Sequence, residues 1–582
     1  MQDVSESHVK AKAKRVLKLS NMPVSETTAR FVQLTVGAFA IAVIIYWLQF
    51  STQSVCCGDF DGYYHIRWSR LLWEGIKGGK FPPRFTWLPL TTLNPKDYVD
   101  HHLLFHIIQI PFTWFGDLRL GAKISATLFA SLAIFSCYWM VVRYRISYAL
   151  VWLVALLACS APFLYRINMT KAPPMTIIFM ICGIYLLFER KYIWLLPLAF
   201  VFTLAYDLSV LLGAAAIIWA AIIGWSEHRI EWRPVLWVML GILAGFIINP
   251  YFPHNLVLFY EHLLMKVRPK DFPTAVGQEW YPYDTWEFLA NCLVACIAMV
   301  TGYIAFHGGN RKRAQHPLFF LAFSTVLLIL NLRWKRIAEY WPPFAVLFAA
   351  FALQPVFDGV RSSIGRLPAD VLDELQPYLD REEKEDASRA RETEAGWKTI
   401  AAAVAALLLG GVLYYNVYRT AGDIASSAKP PYYQHGMEWV RENVPAGQMI
   451  YNTDWDDFPR LFYFDPSHAY VSGLDPNYLL DQNKELSELY DKINLGKVKD
   501  PAPVIRDRFG ARYVFTDNDK VHDEFYNNAL DSGWFELVYE DEDCAILHIR
   551  DEKGEPPETG DQNGSDDDDT DAQQDDGNEE PQ

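Results

Sequence analysis

The sequence predicts a polytopic α-helical membrane protein of about eleven spans, followed by a C-terminal soluble α/β domain and a disordered acidic tail. Three observations predict it. Hydrophobic residues make up 51% of the 582 and aromatics 15%, against 21% charged, a balance too apolar for a chain of this length in water. Apolar stretches near membrane-spanning length recur throughout 31–420. Beyond them the pattern changes to short alternating helix-like and strand-like pieces, and the chain ends in a run of Asp and Glu.

Residues 1–30 form a polar N-terminal segment carrying Lys10, Lys12, Lys14, Arg15, Lys18 and Arg30, which favours the cytoplasmic side. It does not read as a signal peptide, because polar residues precede the first apolar run. Spans are expected at 31–50, 118–141, 147–165, 174–188, 192–206, 208–225, 234–250, 286–306, 317–332, 339–354 and 398–415, within a transmembrane domain covering 31–420. The apolar run 103–115 is shorter and ends in Pro and Trp, so it reads as re-entrant or interfacial. The parity of this count places the loops 51–117 and 251–285, the short loops near 166–173 and 333–338, and everything after 416 on one face. So much polar mass on one side suggests a reaction performed there. The expected location is a multi-pass protein of the cell (inner) membrane with its active face extracytoplasmic.

The stretch 355–397 reads as a charged, partly helical loop on the opposite side. Segment 430–550 alternates GMEWVRENVP, KELSELYDKI and HDEFYNNALDSGW with QMIYNTD, ARYVFTD, FELVYE and CAILHIR, which is the pattern of a small α/β domain. Residues 551–582 hold fourteen Asp/Glu and one Lys, a net of −13, so 1–550 carry only −3 of the total −16. That tail is expected to be disordered and to solubilise. The remainder is not basic enough to suggest nucleic acid. The eight Cys show no metal-ligand spacing.

Candidate chemistry is concentrated in the predicted external loops. In CCGDFDGYYHIRWSRLLWEG (56–75), Asp59 and Asp61 stand at the start of an amphipathic helix that continues through His65 and Arg67. Two carboxylates there are favoured by the helix dipole alone, and they could also hold a divalent cation against a phosphate leaving group. The same loop ends in Asp97, Asp100, His101, His102 and His106, which could supply metal or proton-transfer groups or be satisfied by interfacial water. In KVRPKDFPTAVGQEWYPYDTWEFL (266–289), Glu279 lies among aromatics as a candidate base or metal ligand. In NLRWKRIAEYWPPF (331–344), Arg333 and Arg336 have the planar fork suited to phosphate or carboxylate.

Together these features resemble the GT-C superfamily of membrane glycosyltransferases, and most nearly the catalytic subunit of oligosaccharyltransferase. The resemblance rests on the Asp before an aromatic-His-Arg helix (DGYYHIR) and on Glu279 with Pro282 and Trp286 in a later external loop. A basic residue at an external span end (Arg333 or Arg336) and WVRENVP leading into YNTDWDDF complete it. It implies a polyprenyl (pyro)phosphate-linked sugar donor, a protein or glycan acceptor, and membrane lipid as partners. It also implies catalysis by Asp61, Asp59 and Glu279, and substrate binding by Arg333, Arg336, His65, Arg67, Trp455, Asp456 and Asp457. The implied cofactor is Mn2+ or Mg2+, drawn from Asp59, Asp61, Asp100, His101 and Glu279. The chain departs from that pattern in RINMTKAPP (166–174), which has no carboxylate where the family carries its second acidic motif. Either Asp100 or His101 substitutes, or the enzyme works without metal. Two other classes fit the apolar body: a transporter or flippase of lipid-linked substrates, which predicts intramembrane charges and inverted repeats, and a non-catalytic scaffold.

Overall fold

The computed structural model describes residues 26–53, 60–261, 277–362, 381–426 and 432–554. Asp59, most of the N-terminal segment, the basic part of the second external loop and the acidic tail beyond 554 lie outside the described residues.

The chain is mostly helical. It runs through α1 (Glu26–Phe50), α2 (Asp61–Lys77), α3 (Leu103–Gln109), α4 (Leu118–Arg143), α5 (Ala149–Ala158), α6 (Ala161–Ile167), α7 (Pro173–Phe188) and α8 (Leu195–Ala205). It continues through α9 (Val210–Glu227), α10 (Arg233–Ile248), α11 (His254–Tyr260), α12 (Thr285–Ala305), α13 (Gln315–Arg333), α14 (Trp341–Ser362) and α15 (Arg381–Ser426). Among the described residues five helices are long and apolar enough to cross a membrane: those at Thr27–Phe50, Leu118–Arg143, Asp207–Glu227, Thr285–Ala305 and Gln315–Arg333. The protein is an integral membrane protein on this evidence.

The other spans among the expected eleven or so are shorter helices, a broken helix, or part of a longer one. The span predicted over 147–165 is two helices, α5 and α6, bent by 83°. Ser160 at the break caps α6 by accepting a hydrogen bond from the Phe163 amide, and Pro162 opens the new helix. Helices α7 and α10 have 16 residues each. At 1.5 Å per residue they measure about 24 Å, short of the ~30 Å hydrocarbon core. They hold their places by packing. At Gly241 of α10 an added Cβ would stand 2.4 Å from the Leu196 carbonyl oxygen, so the α8 and α10 backbones meet where only glycine fits. The last apolar run, predicted over 398–415, is the interior of a single 46-residue helix, α15.

After α15 the chain builds a five-stranded sheet from β1 (Met449–Asn452), β2 (Ala469–Tyr470), β3 (Ala511–Asp517), β4 (Phe535–Glu540) and β5 (Cys544–Ile549), in the order β2-β1-β3-β5-β4. β1 is parallel to both β2 and β3, whereas β5 runs antiparallel to β3 and β4. Successive side chains point to opposite faces. Ile450, Phe515 and Ile546 therefore enter one apolar layer, while Tyr451, Val514 and Leu547 enter the other. Helices α16 (Gln434–Asn443), α17 (Phe458–Phe464), α18 (Lys484–Asn494) and α19 (Asp523–Asp531) are the longer helices of the domain.

The first layer is shared with the membrane body. Trp68 of α2 and Phe85, Leu88 and Tyr98 of the loop that follows are buried with Phe458, Leu461 and Phe462 of α17. Helix α2 is amphipathic, with Tyr63, Tyr64, Ile66, Trp68 and Leu72 buried and Arg70 and Glu74 turned to solvent in an i,i+4 pair. The Trp87 indole donates to the Pro466 carbonyl at 2.7 Å. This seam fixes the soluble domain over the start of α2.

Candidate active site

Asp61 is the first residue of α2, and its carboxylate is 32% exposed. Its Oδ2 lies 2.8 Å from Lys171 Nζ. Lys171 belongs to the segment between α6 and α7, which is pinned from both sides. Gln49 at the end of α1 donates to Asn168 Oδ1 at 3.1 Å, Thr170 donates to the Ala122 carbonyl of α4 at 3.2 Å, and Pro173–Pro174 then open α7.

Arg166 lies just before that segment, in the last turn of α6; its Nη2 is 2.6 Å from Glu279 Oε2 and its Nε donates to Glu339 Oε1 at 2.7 Å. Glu279 sits in a short 3₁₀ turn, Gln278–Trp280. Its other oxygen is paired with Arg336, and that guanidinium covers the Trp280 ring at 5.1 Å. Burial alone would raise the Glu279 carboxyl, but Arg336, Arg166 and Lys171 outweigh it and hold it well below the usual carboxylate range. Three acids (Asp61, Glu279, Glu339) thus interleave with three cations (Arg166, Lys171, Arg336).

Behind Asp61 lies a second buried line. Trp68 Nε1 donates to Asp100 Oδ2 at 2.9 Å, and His106 Nδ1 donates to the same oxygen at 2.8 Å. With that proton on Nδ1, His106 Nε2 accepts from His65 Nδ1 at 2.7 Å, so the His65 Nε2 keeps its lone pair. Burial first, then His106, Lys171 and His101, push His65 well below its ordinary value, so it is neutral at pH 7. Asp100 would be raised by burial, but His106 and Trp68 bring it below the ordinary carboxylate value. The two lines meet through His102, which stacks on Tyr206 at 5.1 Å, while Tyr206 accepts from Arg336 Nη2 at 3.3 Å.

The residues expected to hold Mn2+ or Mg2+ are placed differently. Both Glu279 oxygens carry guanidinium groups, Asp61 carries Lys171, and the Asp100 carboxylate accepts from Trp68, His106 and the His102 amide. A divalent ion drawn from Asp61, Asp100, His101 and Glu279 would have to displace these cations, so the donors present do not fit it. Asp59, its remaining expected ligand, is outside the described residues. The one group of three metal-competent side chains among the described residues is elsewhere, at Asp454, Asp517 and His522.

The other candidates separate. Arg336 enters the network, while Arg333 is exposed at the end of α13 and makes no hydrogen bond or ion pair with the described residues. Arg67 covers Tyr463 of α17 at 5.9 Å, and its Nε is buried without a hydrogen-bond partner. Trp455 is half-buried, Asp456 exposed, and Asp457 buried. Sequence reading did not single out Arg166, Lys171, Glu339 or Tyr206. The available signal was RINMTK itself, two cations at a span end in the loop that lacked an expected acid.

No protein-family profile matches the chain, and no curated protein matches it by sequence. Solved structures do. The apo oligosaccharyltransferase of Archaeoglobus fulgidus superposes with a TM-score of 0.56 at 11% identity, covering 90% of this chain and 75% of that one. The same enzyme tethered to an acceptor peptide with the NVT sequon gives 0.55 at 12% identity, over 88% and 74%. ArnT from Cupriavidus metallidurans bound to undecaprenyl phosphate gives 0.51 at 12% identity, over 90% of this chain and 99% of that one. The fold of this chain is therefore the one these structures share, as the resemblance carried by DGYYHIR and the acidic external loops implied.

Proposed function

We propose that the protein is a membrane glycosyltransferase resembling oligosaccharyltransferase. It would take a sugar or glycan from a polyprenyl (pyro)phosphate donor and pass it to a protein or glycan acceptor at the extracytoplasmic face of the cell (inner) membrane. The observation that carries this reading is the bridge made by one short segment: Lys171 holds Asp61 and Arg166 holds Glu279. The fold supports it, as do the peptide and undecaprenyl phosphate bound by the similar structures.

The chemistry is a single displacement. The acceptor nucleophile attacks the anomeric carbon, the bond to the phosphate oxygen breaks, and the acceptor proton passes to Asp61. In the resting site Asp61 is neutralised by Lys171. An entering phosphate competes for Lys171 and Arg336, which frees Asp61 to act as base as the leaving group gains its counter-charge. Glu279 keeps the two guanidiniums aimed at the phosphate, and bidentate recognition by Arg336 suits that role. His65 and Arg67, on the helix that Asp61 opens, are assigned as substrate contacts. Trp455 and Asp456 stand on the soluble domain as acceptor contacts, whereas Asp457 is buried behind them. Each of these steps is performed by side chains.

The test is transfer by the purified full-length chain from a panel of polyprenyl-phosphate and polyprenyl-diphosphate sugars, with and without chelator. The expected result is turnover from at least one donor, lost in Asp61→Asn. Absence of transfer across the panel would overturn the transferase reading, and full activity in Asp61→Asn would overturn the role given to Asp61.

A further inference from the structure

The soluble domain reaches the candidate base through one buried cation. Arg460 of α17 is 2% exposed, and its Nε and Nη1 are buried with no hydrogen-bond partner among the described residues. A guanidinium taken out of water is costly unless other groups stabilise its charge. Here aromatic rings do so. Its central carbon lies 3.6 Å from the centre of the Phe60 ring, 4.8 Å from Tyr432, 5.6 Å from Tyr63 and 5.8 Å from Tyr433. The negative face of a ring attracts such a cation, most strongly where water is excluded.

The rings come from both sides of the seam. Tyr432 and Tyr433 lead into α16, and Tyr433 packs edge-on against Phe515 of β3 at 4.9 Å. Phe60 and Tyr63 stand at the start of α2, three residues apart and so on one side of it, with Asp61 between them in the chain. Phe60 occupies the cap position, and its side chain has no acceptor to offer the free amides of the first turn. That turn is held from outside instead. Tyr63 is buried and meets Tyr463 of α17 edge-on at 5.0 Å, and Arg460 lies over both Phe60 and Tyr63.

We propose that Arg460 is a positioning residue for Asp61: laid against Phe60 and Tyr63, it fixes the first turn of α2 and so aims the Asp61 carboxylate. Its effect on turnover rests on the transferase reading, whereas its hold on α2 does not. The flat guanidinium is the part that matters, since a lysine would bring the charge without a plane to lay on Phe60. Docking of the soluble domain and alignment of the base are thereby one event. The chain of contacts runs from Phe515 in the sheet through Tyr433 and Arg460 to Phe60, the residue before Asp61.

The experiment compares full-length Arg460→Met, Phe60→Leu, Phe60→Tyr and the Arg460→Met/Phe60→Leu double variant with the wild type. Amide hydrogen exchange at the start of α2, Tm and transfer kinetics are measured on each. Arg460→Met puts a flexible apolar chain where a buried charge stood, so Tm should hold and any loss of turnover is not loss of fold. Exchange over residues 62–67 should quicken in Arg460→Met and Phe60→Leu, stay as in the wild type in Phe60→Tyr, and be unchanged in β3. In the same two variants kcat should fall by about 10²-fold, the cost of a misplaced catalytic group, with little change in KM. The double variant should lose no more than either single one, because both changes break one contact. Unchanged exchange in Arg460→Met overturns the proposal. So do equal losses in Phe60→Tyr and Phe60→Leu, kcat losses that multiply in the double variant, or a lowered Tm with kcat intact. Absence of transfer by the wild type defeats the transferase reading instead, and exchange alone then decides whether Arg460 holds α2.

Discussion

Arg166 shows how much a single side chain decides here. It carries Glu279 on one nitrogen and the buried Glu339 on another. Arg166→Ala leaves Glu339 buried without its counter-charge, a loss of about 3–5 kcal/mol, and a matching fall in Tm in detergent would check it. Glu279→Gln keeps the shape but releases both arginines from a fixed charge. Transfer should fall by about 10²-fold or more while the fold is retained, measured as turnover alongside Tm. Lys171→Ala should lower activity at saturating donor, because the leaving phosphate loses a cation. A pH dependence is built into the soluble domain by Asp465 and His468, which are both buried and 2.5 Å apart. Burial would raise Asp465 and lower His468, but their mutual hydrogen bond wins, so Asp465 is lowered and His468 raised. Stability from the pair is fully present between about pH 4 and 6.5, the unperturbed values of the two groups. It is lost below as Asp465 protonates and above as His468 loses its proton. A plot of Tm against pH should show both flanks in the wild type and lose them in His468→Gln.

At the scale of elements, the α5–α6 break matters because it delivers Arg166 and Lys171 to the face where Asp61 stands. The bend is written locally as Ser160 and Pro162, a cap followed by a helix-opening proline. Ser160→Ala should cost roughly 1 kcal/mol, the usual worth of such a cap, without straightening the bend, since Pro162 still bars continuation. The α8–α10 contact at Gly241 is less forgiving. A leucine there meets the Leu196 carbonyl, so Gly241→Leu should separate the two helices and cost about 1–3 kcal/mol or more, read from thermal unfolding. These elements show what hydropathy does not see within the predicted spans. A window average sees apolar composition over 147–165 but not the direction change inside it, and short α7 and α10 are apolar because they are packed.

For the whole molecule, the loops that parity placed on one face, 51–117, 166–173, 251–285 and 333–338, are those whose described residues meet around Asp61, Glu279 and Arg336. The soluble domain closes over them through a shared aromatic layer of Trp68, Phe85 and Tyr98 against Phe458 and Phe462. Residues 432–554 expressed alone should expose that layer, bind a hydrophobic dye and self-associate in sedimentation. A monodisperse, dye-negative fragment would contradict the role given to the seam.

By itself the sequence determined the helical membrane body, the α/β domain, and the candidacy of Asp61, Glu279 and Arg336, because hydropathy, periodicity and short motifs are local. The tertiary structure alone decided the partners. It put Lys171 on Asp61, set Arg166 and Arg336 on Glu279, left Arg333 outside, and gathered the metal-competent acids at Asp454 and Asp517 instead. Charges many residues apart are paired by how helices pack and bend, and no window of the chain contains both members of such a pair.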